Sequence, residues 1–540
     1  MPTTYRRRWT RCPPIIRSRR VGAPVSTRRR KGSTTRVGCL AAALLLSGCV
    51  TLGPDYEEPH VDWLQSWQSD LYGQAGNPAQ QTQVDLRFWW QAFNDPVLNA
   101  LIEAARADNP SLRIAGLRIM ESRAMLGIAG ALQYPQLQQL SGAATYVDNR
   151  ERGGLRDVDQ QFAAYSVGFD LAWELDFWGR FRRGVESAEA GFFASITNQQ
   201  DAQVLLSAQV ATLYYGYRTT LLRIDIAQKN AAIQKRSLDI TERLFLEGEE
   251  SELDLQQAKS QYLGTLALVP ELESDLVKLR NALSAVLGRM PGDVPELASV
   301  PAPLPTVQRV VITDVPAKLL MRRRDVRTAA WQVAAQSAQI GIAQADYFPA
   351  ITLLGSIGWS SNTISGTPEV RSIAAGPALT WNILDYGRIR NNVRLQDARL
   401  QQTIELFRNS ALLAAQEIDD AAISVVKTGE QQAPLHDAAR AAERSLDLAN
   451  TLYREGYLDF DRVLDAQRVL FTQAERELLN DSAHISAVIT LYKAAGGGWV
   501  DMPVDAVVPD ATRETMEART KWGDLLRAPL PATADTGDAK

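Results

Sequence analysis

The spacing of apolar and polar positions along the chain changes period twice, and then does so again. Residues 110–133 carry Leu112, Ala115, Ile119 and Leu126 at near-helical spacing, with Pro110 where only a first helical turn tolerates it. After Pro135 the period falls to two: Val167, Phe169, Leu171, Trp173 and Leu175 alternate with Ser166, Gly168, Asp170, Ala172 and Glu174. Further on, Ile351, Leu353, Ile357 and Trp359 alternate with Thr352, Ser356, Gly358 and Ser360, and Leu379, Trp381 and Ile383 with Ala378, Thr380 and Asn382. Strands of about ten residues with one apolar face and a Trp at one end suit a transmembrane β-barrel, because lipid satisfies no backbone group and the sheet must close. A pair of half-buried soluble hairpins fits the same alternation. Four strands cannot close a barrel, so either the chain oligomerises or the barrel reading fails.

Beyond each strand pair the pattern becomes helical and long. Residues 180–247 contain no proline and place Leu213, Tyr217, Leu221 and Ile224 at helical steps. At about 1.5 Å per residue this is a rod of roughly 100 Å, a length typical of coiled coils and spacers. Turns follow at Glu247-Gly248 and Glu455-Gly456, where Gly supplies a left-handed C-cap. Returning helices are predicted over 251–287 and 459–495, ending at Gly288 and at Gly496-Gly497-Gly498. A returning helix and the short helix before the strands together nearly match the long helix, so two short helices stacked end to end fit beside each long one. Pro270 and Pro434 fall inside these helices and predict bends.

The chain is a duplicated unit. Trp173-Glu174-Leu175-Asp176-Phe177-Trp178-Gly179-Arg180 returns as Trp381-Asn382-Ile383-Leu384-Asp385-Tyr386-Gly387-Arg388, 208 residues later. The same offset relates Leu244, Glu247 and Gly248 to Leu452, Glu455 and Gly456. Pro135 and Pro349 match at an offset of 214, so the first copy holds about six more residues between its Pro and its Trp. The expected organisation is a removed signal over 1–48, an anchored segment over 49–95, a first repeat over 96–290, a Pro-rich linker over 291–316, a second repeat over 317–498 and an extended or disordered tail over 499–540.

Charge and cysteine place the chain in a compartment. Residues 1–38 carry 12 Lys or Arg and no acid, which leaves 46 basic against 62 acidic residues, net minus 16, for the rest. An acidic body excludes phosphate-backbone binding as the main activity, so no nucleic-acid partner is expected. The basic arm precedes a short apolar run, Leu40 to Leu46, too short to span a bilayer, and then Leu46-Ser47-Gly48-Cys49. This resembles the lipobox of bacterial lipoproteins, which implies cleavage before Cys49 and acylation of that residue. Val50 after the Cys implies outer-membrane sorting. Cys49 is then the only cysteine left, so no disulfide forms, and His60, His436 and His484 lie too far apart in sequence to suggest a metal site. No cofactor is expected.

The segment from Phe88-Trp89-Trp90 and Phe93-Asn94-Asp95-Pro96 to Ala495-Gly496-Gly497-Gly498-Trp499 resembles the trimeric outer-membrane efflux proteins of tripartite drug pumps, in particular their lipoprotein branch. Asp385-Tyr386-Gly387-Arg388, Arg454-Glu455-Gly456, Val463-Leu464-Asp465-Ala466-Gln467 and Arg323-Arg324-Asp325-Val326 carry the likeness, in the expected order. The resemblance implies a mainly α protein with a β-barrel portion. Four transmembrane strands from each of three chains would build a twelve-stranded barrel in outer-membrane lipid, above a periplasmic α-helical tunnel. It implies a homotrimer with no catalytic activity, served by a periplasmic adaptor and an inner-membrane pump. A type I protein-secretion channel and a structural lipoprotein without a pore are the alternatives.

In that family the segment matching Val463 to Ala466 lines a periplasmic constriction. Asp461 and Asp465, at i and i+4, share a helix face, and three copies would ring the axis with carboxylates. Arg462 stands where some relatives carry a second acid. An ordinary solvated face would look the same. Glu247, Gly248, Glu455 and Gly456 are candidate adaptor-docking tips as well as simple helix caps. Trp173, Trp359 and Trp381 are candidate membrane-interface aromatics, against core or trimer packing. Glu417, Asp419 and Asp420 read as a solvated helix face.

Overall fold

A computed structural model describes residues 50–63, 71–73, 85–151, 158–299, 303–305, 320–363 and 370–531. Cys49 and the signal segment lie outside these residues. The first repeat comprises α1 (Pro96–Asp108), α2 (Pro110–Ala131), β1 (Leu137–Glu151), β2 (Val158–Glu174), α3 (Arg180–Glu247) and α4 (Glu252–Val286). The second comprises α5 (Arg324–Ala345), β3 (Ala350–Ser361), β4 (Val370–Thr380), α6 (Arg388–Arg454) and α7 (Phe460–Ala494). Each change of hydrophobic period thus marks a real element, and both long helices, of 68 and 67 residues, have the expected length. α4 and α6 continue unbroken past Pro270 and Pro434.

The short helices stack end to end, as their lengths require, and one side chain makes each joint. Asn109 caps α2 by accepting from the Leu112 amide (2.9 Å) and donates to the Val286 carbonyl that ends α4 (2.8 Å). Arg323, 214 positions on, precedes α5 and donates to the Ala494 carbonyl that ends α7 (3.0 Å). α3 therefore lies between an α2–α4 stack and an α5–α7 stack, and α6 packs on the other side of the latter. Trp89, Tyr214, Phe407, Ile418 and Val488 are buried in the core where these rods meet. Asp95 and Arg218, both nearly fully buried, pair at 2.6 Å. The Asp95 carboxylate also accepts from Tyr214 and from the Val97 and Leu98 amides that open α1, so this charge is fully paired.

The four strands form one antiparallel sheet in the order β1-β2-β3-β4. The register puts Leu140, Phe169, Ile357 and Ile373 in one row and Val167 beside Trp359 in the next. Rows of the opposite parity hold Ser141, Gly168, Gly358 and Ser372, or Asp170, Ser356 and Ala374. One face is apolar yet exposed, and the other small and polar. The six extra residues of the first repeat lengthen its hairpin: β1 and β2 have 15 and 17 residues, β3 and β4 have 12 and 11.

The C-terminal segment departs from its expected extended or disordered form. Residues 504–507 and 510–519 are helices α8 (Val504–Val507) and α9 (Asp510–Arg519), with a 3-10 turn at Gly523–Leu526. Pro503 and Pro509, which suggested an extended chain, sit at the N-caps of these helices, where proline is tolerated. Val507, Val508 and Leu526 pack with Ile119, Met120, Phe192 and Ile196. Arg123 donates to the carbonyls of Leu525, Ala528 and Pro529. Gly116 is required for this approach, since a Cβ there would lie 2.4 Å from the Val507 carbonyl oxygen.

Candidate functional site

The two hairpin tips are built alike. At the end of α3 the Gly248 amide donates to Phe245 O (3.1 Å) and the Glu249 amide to Leu244 O (2.9 Å). At the end of α6 the Gly456 amide donates to Tyr453 O (3.0 Å) and Tyr457 N to Leu452 O (2.9 Å). Gly248 and Gly456 have φ of +79° and +78°, the left-handed geometry of a Schellman cap. A Cβ at either would meet nothing within 4 Å. Space is therefore free at both tips, and only backbone conformation demands glycine. Glu247 is the last residue of α3, and Glu455 is the C-cap of α6.

A hydrogen bond that the sequence did not announce ties the tips together. Tyr453 of the second hairpin donates to Glu250 of the first at 2.7 Å. Burial, then this bond, pushes the Tyr453 hydroxyl above its ordinary value. Leu246, Leu253 and Tyr457 stand largely exposed around the tips.

Asp461, Arg462 and Asp465 come together on the first turns of α7, as their spacing requires. Val463, Leu464, Ala466 and Gln467 are buried behind them, so the three charged residues face outward. They line a groove of about 900 Å³ with Gln256, Gln257 and Gln261 of α4. Arg468 lines it too and pairs with Asp465 at 3.5 Å, whereas Arg462 makes no ion pair among the described residues. Arg468 was legible as an i+3 partner; the glutamines, from another helix, were not. Behind the groove the fully buried Gln467 donates to Ser237 at 2.7 Å, holding α7 on α3.

Two of the aromatic candidates, Trp173 and Trp359, lie on the sheet's apolar face. Trp173 pairs with Leu353 across β2 and β3, and Trp359 with Val167. Trp381 follows β4 by one residue. The Trp173 and Trp381 indoles donate to the carbonyls of Gln133 (3.2 Å) and Tyr347 (3.0 Å), again 214 positions apart. The two repeats thus anchor their equivalent tryptophans at the helix-to-strand turn.

Glu417 is not the solvated residue that its surroundings suggested. It pairs with Arg323 at 2.8 Å and Lys493 at 2.7 Å, beside the α5–α7 joint. Burial alone would raise its carboxyl, but the hydrogen bonds from Lys493 and Arg323 hold it below the usual range. Asp201 of α3 shares this environment, and burial together with Asp325 pushes it up to about 6. With Asp201 charged, three carboxylates oppose two cations, and its protonation balances the cluster.

A sequence profile of the family described as outer membrane efflux protein matches residues 101–289 and 315–497, one segment in each repeat. The chain belongs to the outer membrane efflux proteins. It is accordingly an outer-membrane channel protein of an efflux system. This efflux protein is 29% identical over 478 residues to the probable outer membrane lipoprotein SilC of Salmonella typhimurium, covering 86% of this chain and 98% of that one. It is 31% identical over 470 residues to the toluene efflux pump outer membrane protein TtgI of Pseudomonas putida, covering 85% and 97%. Among solved structures it is similar to the outer-membrane channel OprN, with a TM-score of 0.76 and 30% identity over 83% of this chain and 99% of that one.

Proposed function

We propose that three copies of this efflux protein close into one pore, which passively conducts small molecules that an inner-membrane pump delivers through a periplasmic adaptor. The four-stranded sheet carries this reading. Its apolar face is exposed and, among the described residues, its outer strands β1 and β4 each pair on one side only, so copies must join edge to edge before lipid can surround it. Two copies would give eight strands, an interior that side chains fill; three leave an open channel.

Cys49 is the proposed lipid anchor. Thr51 lies against Gly179, just past the end of β2, with its Cα 2.9 Å from where a Gly179 Cβ would stand. Two residues after Cys49, the chain is therefore at the base of the sheet. Asp461, Arg462 and Asp465 form the proposed periplasmic aperture, and the tips at Glu247-Gly248 and Glu455-Gly456 the adaptor-docking surface, where exposed Leu246, Leu253 and Tyr457 offer apolar contacts. Trp173, Trp359 and Trp381 are proposed to sit at the membrane interfaces. The cargo is set by the pump: TtgI, named for toluene efflux, and CusC of Escherichia coli, named for cation efflux, are 31% and 29% identical to this chain.

The test is purified protein in planar bilayers with its mass measured in detergent. Conductance from a particle of three chains is expected. A monomer, or no conductance at any voltage, would overturn the reading.

A further inference from the structure

The proposed trimer leaves open which helix faces meet between copies, and the exposed side chains answer this. On α2, Ile114, Arg118, Glu121, Met125 and Ile128 are all exposed, and Leu132, the C-cap, continues the row. Their spacing alternates four and three, the pattern of a coiled-coil seam. At 3.6 residues per turn this row lies about 120° from the row Leu112, Ala115, Ile119 and Leu126 that runs along the α3 side. A helix in the wall of a tunnel needs such a second lateral face. On α6, Leu395, Arg399, Gln402, Leu406, Asn409 and Leu413 repeat the alternation, all exposed. They too point away from Phe407, Ala411, Ala414 and Ile418, which are buried toward the rest of the chain.

α2 runs toward the sheet and α6 runs away from it, so the two seams would meet antiparallel. Measured from the sheet end of each helix, Glu121 and Arg399 lie at nearly the same depth, about 15 and 16 Å. Among the described residues neither side chain makes an ion pair within the chain. Met125, Ile128 and Leu132 on the sheet side and the leucines of α6 supply the apolar part. The seams are also continuous with the two unpaired strand edges: α2 leads into β1, and β4 leads into α6.

We infer that the α2 seam of one copy packs against the α6 seam of the next, with Glu121 facing Arg399, and that this pairing sets the register in which β1 meets β4. The inference rests on the trimer proposed above and names its interface. An opposite-charge pair in the seam specifies register, because a slip by a turn one way sets Glu121 against Leu395 and Arg399 against Arg118, and the other way sets Glu121 against Gln402 and Arg399 against Met125.

The natural sequence makes the test direct, since Cys49 is the only cysteine after the signal segment. Glu121→Cys and Arg399→Cys combined in the full chain, oxidised in outer membranes with copper phenanthroline, should give a covalent species of three chains on non-reducing gels. Each single variant should not. Glu121→Arg should lower the yield of detergent-resistant trimer, and adding Arg399→Glu should restore it. If wild-type protein is a trimer by light scattering but the double-cysteine variant stays monomeric on gels and the charge swap changes nothing, the seam assignment is overturned while the trimer stands. If wild type is a monomer, the trimer reading itself falls.

Discussion

Asp465 shows how a residue can be placed correctly and its partner missed. Its face follows from the i and i+4 spacing, but its nearest charge is Arg468, not Arg462. With Arg468 on the same groove, each chain would bring both signs of charge to the proposed aperture, and Asp461 has no ion-pair partner among the described residues. Replacing Asp461 and Asp465 with Ala should raise single-channel conductance in a planar bilayer; unchanged conductance would remove them from the aperture. Asp201 gives a prediction in pH. Its carboxyl is raised from an ordinary 3.8 to about 6, so the folded chain binds this proton more tightly than the unfolded one. The associated stability is greatest below the ordinary value and is lost as pH rises toward 6. Asp201→Asn should remove a loss on the order of 2 kcal/mol between about pH 4 and pH 7, seen as a flatter midpoint in thermal unfolding. Glu417, held low, acts oppositely and loses its contribution only at more acid pH. An unchanged pH profile in the Asn variant would dismiss the assignment. Sequence could not show this cluster, because α3, α5, α6 and α7 bring together side chains that are hundreds of positions apart.

At the scale of elements, period and punctuation were nearly sufficient. Helix lengths, the two turns and strands β2, β3 and β4 follow from patterning and from Gly248 and Gly456, because backbone geometry dictates them, whereas β1 lacks a regular apolar alternation. Side-chain joints such as Asn109 to Val286 and Arg323 to Ala494 become visible only when the repeats are laid over the structure. The tail escaped the pattern because its prolines read as breakers, whereas two of them begin helices, and Gly116 on a distant element admits the contact. Removing residues 499–540 should therefore destabilise the joint of α2 and α3 by exposing Ile119, Met120 and Phe192, at a cost of about 1.5–3 kcal/mol per large apolar side chain. Increased amide exchange over 116–123 and 192–196 would register this, and unchanged exchange would make the tail an ornament. At the tips, valine at Gly248 or Gly456 must take a left-handed backbone, costing roughly 1–2 kcal/mol. That strain is local to a hairpin end far from the strands. Export should fall while the trimer still assembles, and Asn, which tolerates this conformation, should retain more export than Val.

For the whole molecule the decisive quantity is charge. The basic N-terminal stretch hides it: the chain reads as minus 4 overall but as minus 16 once residues 1–38 are set aside, or minus 48 for the proposed three copies. A low-dielectric wall focuses such a field into the lumen, raising the local concentration of cations. The polar face of the sheet contributes Asp170, in register with Ser356 and Ala374, and the proposed aperture adds Asp461 and Asp465. The pore should therefore pass potassium in preference to chloride, read as the sign of the reversal potential across a KCl gradient. Screening sets the conditions. The Debye length is about 10 Å at 0.1 M salt and about 3 Å at 1 M, so the preference should be strong at low salt and shrink near molar concentration. The same measurement separates two sources of the field. If the aperture dominates, the Asp461→Ala and Asp465→Ala double variant loses most of the selectivity; if the lumen wall dominates, conductance rises while selectivity stays. An anion-selective wild-type pore would mean that the acidic residues lie outside the conduction path, whatever the net charge.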